Sequence, residues 1–81
     1  MQARDILIRT ADIVEAGDDR PLWTIIERQA NAYNSDLNGA IAEARVCDHM
    51  QVQNCAEVVE LIASWSDADV ATMLRTVAGC A

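Results

Sequence analysis

Apolar residues recur along this chain at spacings of three and four positions, and few segments alternate apolar with polar residues. Such spacing is typical of amphipathic α-helices, because about 3.6 residues make one turn. We therefore expect an all-α fold, in which four or five short amphipathic helices pack into a compact bundle. Residues 1–81 then form a single helical domain. Whether the second and third helices join into one bent rod stays open.

The first two helices are predicted from their apolar faces and from the residues at their ends. The first runs from about Ala3 to Ala16 and stops at a glycine. The second begins after Asp19, whose carboxylate can cap exposed N–H groups, has Pro21 in its first turn, and runs to about Tyr33. The apolar faces comprise Ala3, Ile6, Leu7, Ile13 and Val14 in the first helix and Leu22, Ile25, Ile26, Ala30 and Tyr33 in the second.

A third helix follows a break at Asn34 and Ser35. Ser35 or Asp36 can cap it, and its pattern extends to about Asp48. We expect an inner face rich in small residues, which allows a neighbouring helix to approach closely. This face comprises Leu37, Ala40, Ile41, Ala44 and Cys47.

The last two helices each begin with a capping signal. After a connection at residues 50–53, Asn54 with Glu57 resembles a reciprocal capping arrangement, and Ser66 with Asp69 repeats the signal. Gly79 marks the end of the fifth helix. The predicted faces are Val58, Leu61, Ile62 and Trp65, widened by Val59, in the fourth helix, and Val70, Met73, Leu74, Val77 and Ala78 in the fifth.

Composition and charge narrow the classes of partner. Hydrophobic residues make up 52% of the chain, which is enough for one core, and the formal net charge is −7. Phosphate backbones and anionic lipid headgroups repel such a chain, so we expect neither direct nucleic-acid binding nor membrane binding. A basic protein partner is electrostatically easier, although thirteen acidic residues spread along the chain also fit an ordinary solvated surface.

The N-terminal segment lacks a basic region followed by a long apolar core. No apolar run approaches the roughly 20 residues that span a bilayer. Three cysteines are an odd number, and without a secretion signal they argue against a disulfide framework. We therefore expect a cytoplasmic protein with free thiols.

Cys47, His49 and Cys55, with the distant Cys80, are the residues closest to a metal-site pattern, because three thiolates and an imidazole can hold zinc. The spacing matches no familiar zinc finger or ribbon, and Cys47 falls on a predicted apolar face, where cysteine serves as a small hydrophobe. Cys47 and His49 also lie on different helix faces, which argues against a nucleophilic pair. We expect no metal, no cofactor and no catalytic residues, and hence a protein that is not an enzyme.

A helix-turn-helix unit between Ala40 and Trp65 is the remaining nucleic-acid alternative. Its recognition helix would carry Glu57 and Glu60, and the chain has no basic residue from there until Arg75. This charge has the wrong sign for DNA. The glycines are isolated, so no phosphate-binding loop is present either.

Four apolar residues are candidates for a protein contact: Ile8, Trp23, Val46 and Trp65. Ile8 projects away from the apolar face of the first helix, and Val46 falls near the back of the third. Trp23, at the edge of its stripe, and Trp65 are aromatic residues of the kind that supply much interface energy. The alternative for each is a single exposed apolar residue or an aromatic side chain that fills the core.

In size, acidity and short-helix organisation, the chain resembles the small antiactivators that sequester transcriptional activators, and most nearly the QseM type from rhizobial mobile elements. The segments 55–65, CAEVVELIASW, and 67–75, DADVATMLR, illustrate the helices concerned. The resemblance implies a non-enzymatic inhibitor that binds a quorum-sensing regulator and blocks its activity. We expect a role in transcription regulation, through stoichiometric binding to the surface of the regulator. The alternatives are a structural or assembly subunit that self-associates into a homo-oligomer, a phage-type inhibitor, and a DNA mimic.

Overall fold

Five α-helices are present in residues 2–79, which are the residues that this computed structural model describes. They are α1 (Ala3–Glu15), α2 (Leu22–Ala32), α3 (Asp36–Met50), α4 (Cys55–Ile62) and α5 (Asp67–Val77). This part of the chain contains no strand, and the predicted all-α bundle is confirmed. Its radius of gyration, 11.2 Å, is that of a packed chain of this length. Within the same residues, no helix is both long enough and apolar enough to cross a membrane.

The core is centred on α1 and α5, which form the most extensive helix pair of the bundle. Both contribute side chains without solvent exposure: Ile6, Leu7 and Ala11 from α1, and Ala71 and Leu74 from α5. Arg75 also pairs with Asp12 (2.9 Å) and Glu15 (2.5 Å) across the surface of these two helices. Exposed ion pairs of this kind contribute little net stability, so apolar burial provides most of the stabilisation.

The predicted caps of α4 and α5 are confirmed. The side-chain oxygen of Asn54 accepts the N–H of Glu57 at 3.1 Å, and that of Ser66 accepts the N–H of Asp69 at 3.2 Å. In a reciprocal arrangement the Glu57 carboxylate would accept the N–H of Asn54. It accepts instead the N–H of the preceding residue, Gln53, at 2.7 Å. Two glycines with positive φ follow α1 and α5, namely Gly17 (96°) and Gly79 (85°).

The start of α2 differs from the prediction. Pro21 occupies the cap position without a capping side chain, so the expected Asp19 cap is wrong. Asp18 instead accepts the N–H of Arg20 at 2.9 Å and pairs with its guanidinium group. These bonds lower the pKa of Asp18 to about 2. At the other end, Tyr33 is 46% exposed rather than part of the apolar stripe, and α2 and α3 are separate helices.

α3 packs through a different face from the predicted one. Its buried residues are Gly39, Ala42 and Val46, whereas most of the predicted inner face is exposed. Gly39 accounts for the difference, because a Cβ atom there would lie only 2.7 Å from the Cβ of Ala30. α2 and α3 therefore meet closely at Gly39. With Gly39 turned inward, Ala42 and Val46 also face the core and Leu37 faces solvent.

α4 and α5 differ in how much of their predicted faces they bury. In α5, the buried residues Val70, Met73, Leu74 and Ala78 confirm the prediction, and Val77 is half-buried. In α4 only Val58 is buried. Leu61, at 47% exposed, and Trp65, at 38%, were expected in the core stripe, and that expectation is wrong. The physical reason is that α4 has eight residues and packs chiefly on α3, at the periphery of the bundle.

Candidate protein-interaction surface

α3 carries a second apolar face that no other helix covers. We call it the α3 stripe, and it consists of Leu37, Ala40, Ile41 and Ala44, all exposed. Leu37 is 76% exposed and Ile41 is 36% exposed. At about 100° per residue, these four residues lie opposite the buried face of the same helix. The apolar pattern of the sequence predicts these residues in the core. The signal against that prediction is Gly39, a glycine in the middle of a helix, where it allows close contact with a neighbouring helix.

A groove runs along one side of α3, next to this stripe. Between α2 and α3 lies a cleft of about 280 Å³, lined by Glu27, Ala30, Asn31, Asp36, Gly39, Ala40 and Glu43. Between α3 and the start of α4 lies a cleft of about 420 Å³, lined by Ala40, Glu43, Ala44, Cys47, Asp48, Val52, Gln53, Asn54 and Cys55. Ala40 and Glu43 line both clefts, so the two clefts adjoin along α3. Together we call them the α3 groove.

The charged side chains that line the α3 groove are all acidic. They are Glu27, Asp36, Glu43 and Asp48, and no arginine lines either cleft. Burial raises the pKa of Glu43, and the charge of Glu27 and a hydrogen bond between the two carboxyl groups raise it further. Two neighbouring carboxyl groups of this kind attract a cation.

Two thiols also lie in the α3 groove. Cys47, near the end of α3, and Cys55, the first residue of α4, are both half-buried and free. Burial raises the pKa of the Cys55 thiol, and Glu43 and Cys47 add to this effect. Among residues 2–79, no group of three or more potential ligands could hold a metal ion. Cys80 lies outside the described residues.

Ile8 and Val46 are not positioned as the sequence predicted. Val46 has no solvent exposure, because the face of α3 that it shares with Gly39 is the buried one. Its expected place on the back of the helix is wrong, and it is not available for a protein contact. Ile8 is half-buried and packs against the core instead of projecting into solvent. A charged substitution at Ile8 is therefore expected to disturb the packing of the core, whether or not Ile8 contacts a partner.

The two tryptophans are in different environments. Trp23 packs against the core, and its indole Nε1 donates a hydrogen bond of 2.9 Å to the carbonyl oxygen of Cys55. This bond ties α2 to the start of α4. Trp65 is exposed near Leu61, just beyond the end of α4. A role of either tryptophan in a protein contact stays a prediction.

Comparisons with protein-family models, with curated proteins and with solved structures found no match for this chain. The surface geometry and charge are therefore the basis for a functional proposal.

Proposed function

We propose that this protein is a non-enzymatic protein-binding module that acts as an antiactivator. In this proposal it binds a surface of a transcriptional regulator with one-to-one stoichiometry and blocks the activity of that regulator. The observation that supports protein binding is the 76% exposure of Leu37 at one end of the α3 stripe. The antiactivator role rests on the resemblance to QseM-type proteins in size, acidity and helix organisation.

The α3 stripe differs from the scattered apolar residues that any soluble surface carries. Leu37 and Ile41 are one turn apart, and two exposed alanines extend the apolar surface along the same face. Complete burial of an exposed leucine side chain contributes about 1.5–3 kcal/mol, and Ile41, at 36% exposed, has less surface left to bury. A contiguous exposed apolar patch of this kind is a feature of protein-interaction sites.

Site-specific photo-crosslinking in native cells tests this proposal. A photoreactive residue is placed at Leu37, and a matched control carries it at Glu60, which is exposed on α4. We expect position 37 to capture one transcriptional regulator and position 60 to capture none of it. The purified regulator should then bind the wild-type protein with one-to-one stoichiometry and lose DNA-binding or transcriptional activity.

Ile41→Asp provides the second measurement, and it should weaken this complex by at least tenfold, equivalent to about 1.4 kcal/mol. Because Ile41 is partly exposed, its replacement should leave the helical content unchanged. Equal capture at both positions, or unchanged affinity of Ile41→Asp, would contradict the proposal. Capture of a second copy alone would support the structural, self-associating alternative.

A further inference from the structure

The dimensions of the α3 groove match those of a helix. Twelve residue steps separate Asp36 from Asp48, and at 1.5 Å per residue they span about 18 Å, the length of about a dozen helical residues. Leu37, Ile41 and Ala44 repeat at spacings of four and three, which is the spacing at which the ridges and grooves of two helices interlock. Ala40 and Ala44 have small side chains that project little from the helix, so a second helix can approach closely beside Leu37 and Ile41.

The acidic charge of the α3 groove determines which kind of helix can bind there. Its carboxylates are distributed over the whole length, from Glu27 and Asp36 beside α2, through Glu43, to Asp48 near α4. The cleft beside α2, about 280 Å³, is much larger than the roughly 30 Å³ share of one water molecule, so a long side chain can enter it. Arginine or lysine side chains that flank an apolar stripe would meet these carboxylates.

We propose that the α3 groove binds an amphipathic helix of a basic protein, with the apolar face of that helix on the α3 stripe and its flanking arginines or lysines in the two clefts. This inference rests on the proposed function and specifies the chemistry of the partner. The apolar contact provides affinity, while the charge pairs fix the direction and register of the bound helix.

A second copy of this chain fits the groove less well. Each copy carries a formal net charge of −7 and the same acidic lining, so pairing through this face brings like charges together. A basic helix has the opposite effect, because a cation beside Glu43 offsets the cost of holding that carboxylate partly buried next to Glu27.

Two synthetic helical peptides test this inference with the intact 81-residue chain. Both have the same apolar stripe, with arginine at the flanking positions of one peptide and glutamine at those of the other. Binding is followed by the amide shifts of the isotope-labelled protein. We expect the arginine peptide to bind at least tenfold more tightly, equivalent to about 1.4 kcal/mol, with the largest shifts along α3.

Two double variants separate local from overall charge. Asp36→Asn/Glu43→Gln removes two charges from the groove and should reduce the preference for arginine to less than threefold. Glu60→Gln/Asp67→Asn removes two charges elsewhere and should retain it. Equal loss in both variants, or no preference in the wild-type protein, would overturn the basic-helix inference.

Ile41→Asp distinguishes failure of this inference from failure of the proposed function. One outcome is that the wild-type protein binds both peptides equally well and Ile41→Asp binds neither. This outcome would overturn the inference of a basic partner and support the α3 stripe as an apolar binding surface. If Ile41→Asp binds both peptides as the wild-type protein does, the α3 stripe is not a binding surface and both proposals fail. A stable dimer in light scattering that Leu37→Asp dissociates would overturn the basic helix in favour of a second copy.

Discussion

At the scale of single residues, α3 shows that hydrophobicity alone does not determine burial. Leu37 has the larger apolar side chain and is 76% exposed, whereas Val46 on the same helix has no exposure. The difference comes from the helix face on which each residue lies. A residue on the covered face loses contact with water whatever its size, and one on the other face keeps it.

We predict that alanine substitutions at these two positions differ strongly in their effect on stability. Val46→Ala should lower the free energy of unfolding by about 2 kcal/mol, because it removes buried methyl groups and leaves a cavity. For a domain of this size, that change corresponds to a fall in Tm of about 8–16 °C. Leu37→Ala should change stability by less than about 0.5 kcal/mol. Thermal unfolding followed by circular dichroism measures both, and equal losses would contradict the burial pattern.

A pH-dependent prediction follows from Glu43. Because its pKa is raised in the folded state, its contribution to stability is fully present below the ordinary glutamate value of 4.5 and is lost as the pH rises through the folded value. The carboxylate therefore costs stability at neutral pH. Glu43→Gln should raise the free energy of unfolding at pH 7 by a small amount, because solvent screens this partly exposed carboxylate, and the gain should shrink as the pH falls and the carboxyl group is protonated.

Urea unfolding at pH 7 and at about pH 4 measures the Glu43 effect. Glu60→Gln, which removes one charge from the exposed side of α4, controls for net charge. A gain for Glu43→Gln that is the same at both pH values would mean that titration of the carboxyl group is not its cause.

At the scale of elements, local signals predict where helices begin and end better than which way they face. Asn54 and Ser66 were identified as caps because capping bonds join residues only three positions apart. The face of α3 depends instead on a contact with Ala30, in another helix. α3 has small or apolar residues on both sides, so its periodicity alone could not reveal the covered side. The candidate surface was missed for the same reason.

Gly39→Ala should weaken the packing of α2 on α3. Alanine favours an isolated helix over glycine by about 1 kcal/mol, but the new Cβ would lie 2.7 Å from the Cβ of Ala30, well inside the roughly 3.5–4.0 Å of carbon–carbon contact. Overpacking costs about 1–3 kcal/mol, so we expect a net loss of roughly 1 kcal/mol in chemical unfolding.

The double variant Ala30→Gly/Gly39→Ala moves the methyl group from α2 to α3 and removes the clash. It should be less destabilised than the sum of its two single variants, by about 1 kcal/mol. If Gly39→Ala alone stabilises the protein, helix propensity outweighs the close contact and the explanation for the face of α3 fails.

At the scale of the whole molecule, the strongest helix pair joins the first helix to the last. The ion pairs of Arg75 with Glu15 and Asp12 span 60 and 63 positions of the chain. The fully buried side chains of α1 and α5 lie in the same core. Neither helix can bury its apolar face in the native way without the other, and α2 to α4 complete the layers around them.

This pairing has a consequence during synthesis on the ribosome. Translation proceeds from α1 to α5, so the side of α1 that packs on α5 stays uncovered until α5 has left the exit tunnel, even where α2 and α3 already cover the rest. That side of α1 is therefore open to chaperones and proteases in a nascent chain from which α1 has emerged and α5 has not. A product interrupted before α5 lacks the partner that covers α1, and cellular quality control would remove it instead of letting a partly folded fragment accumulate.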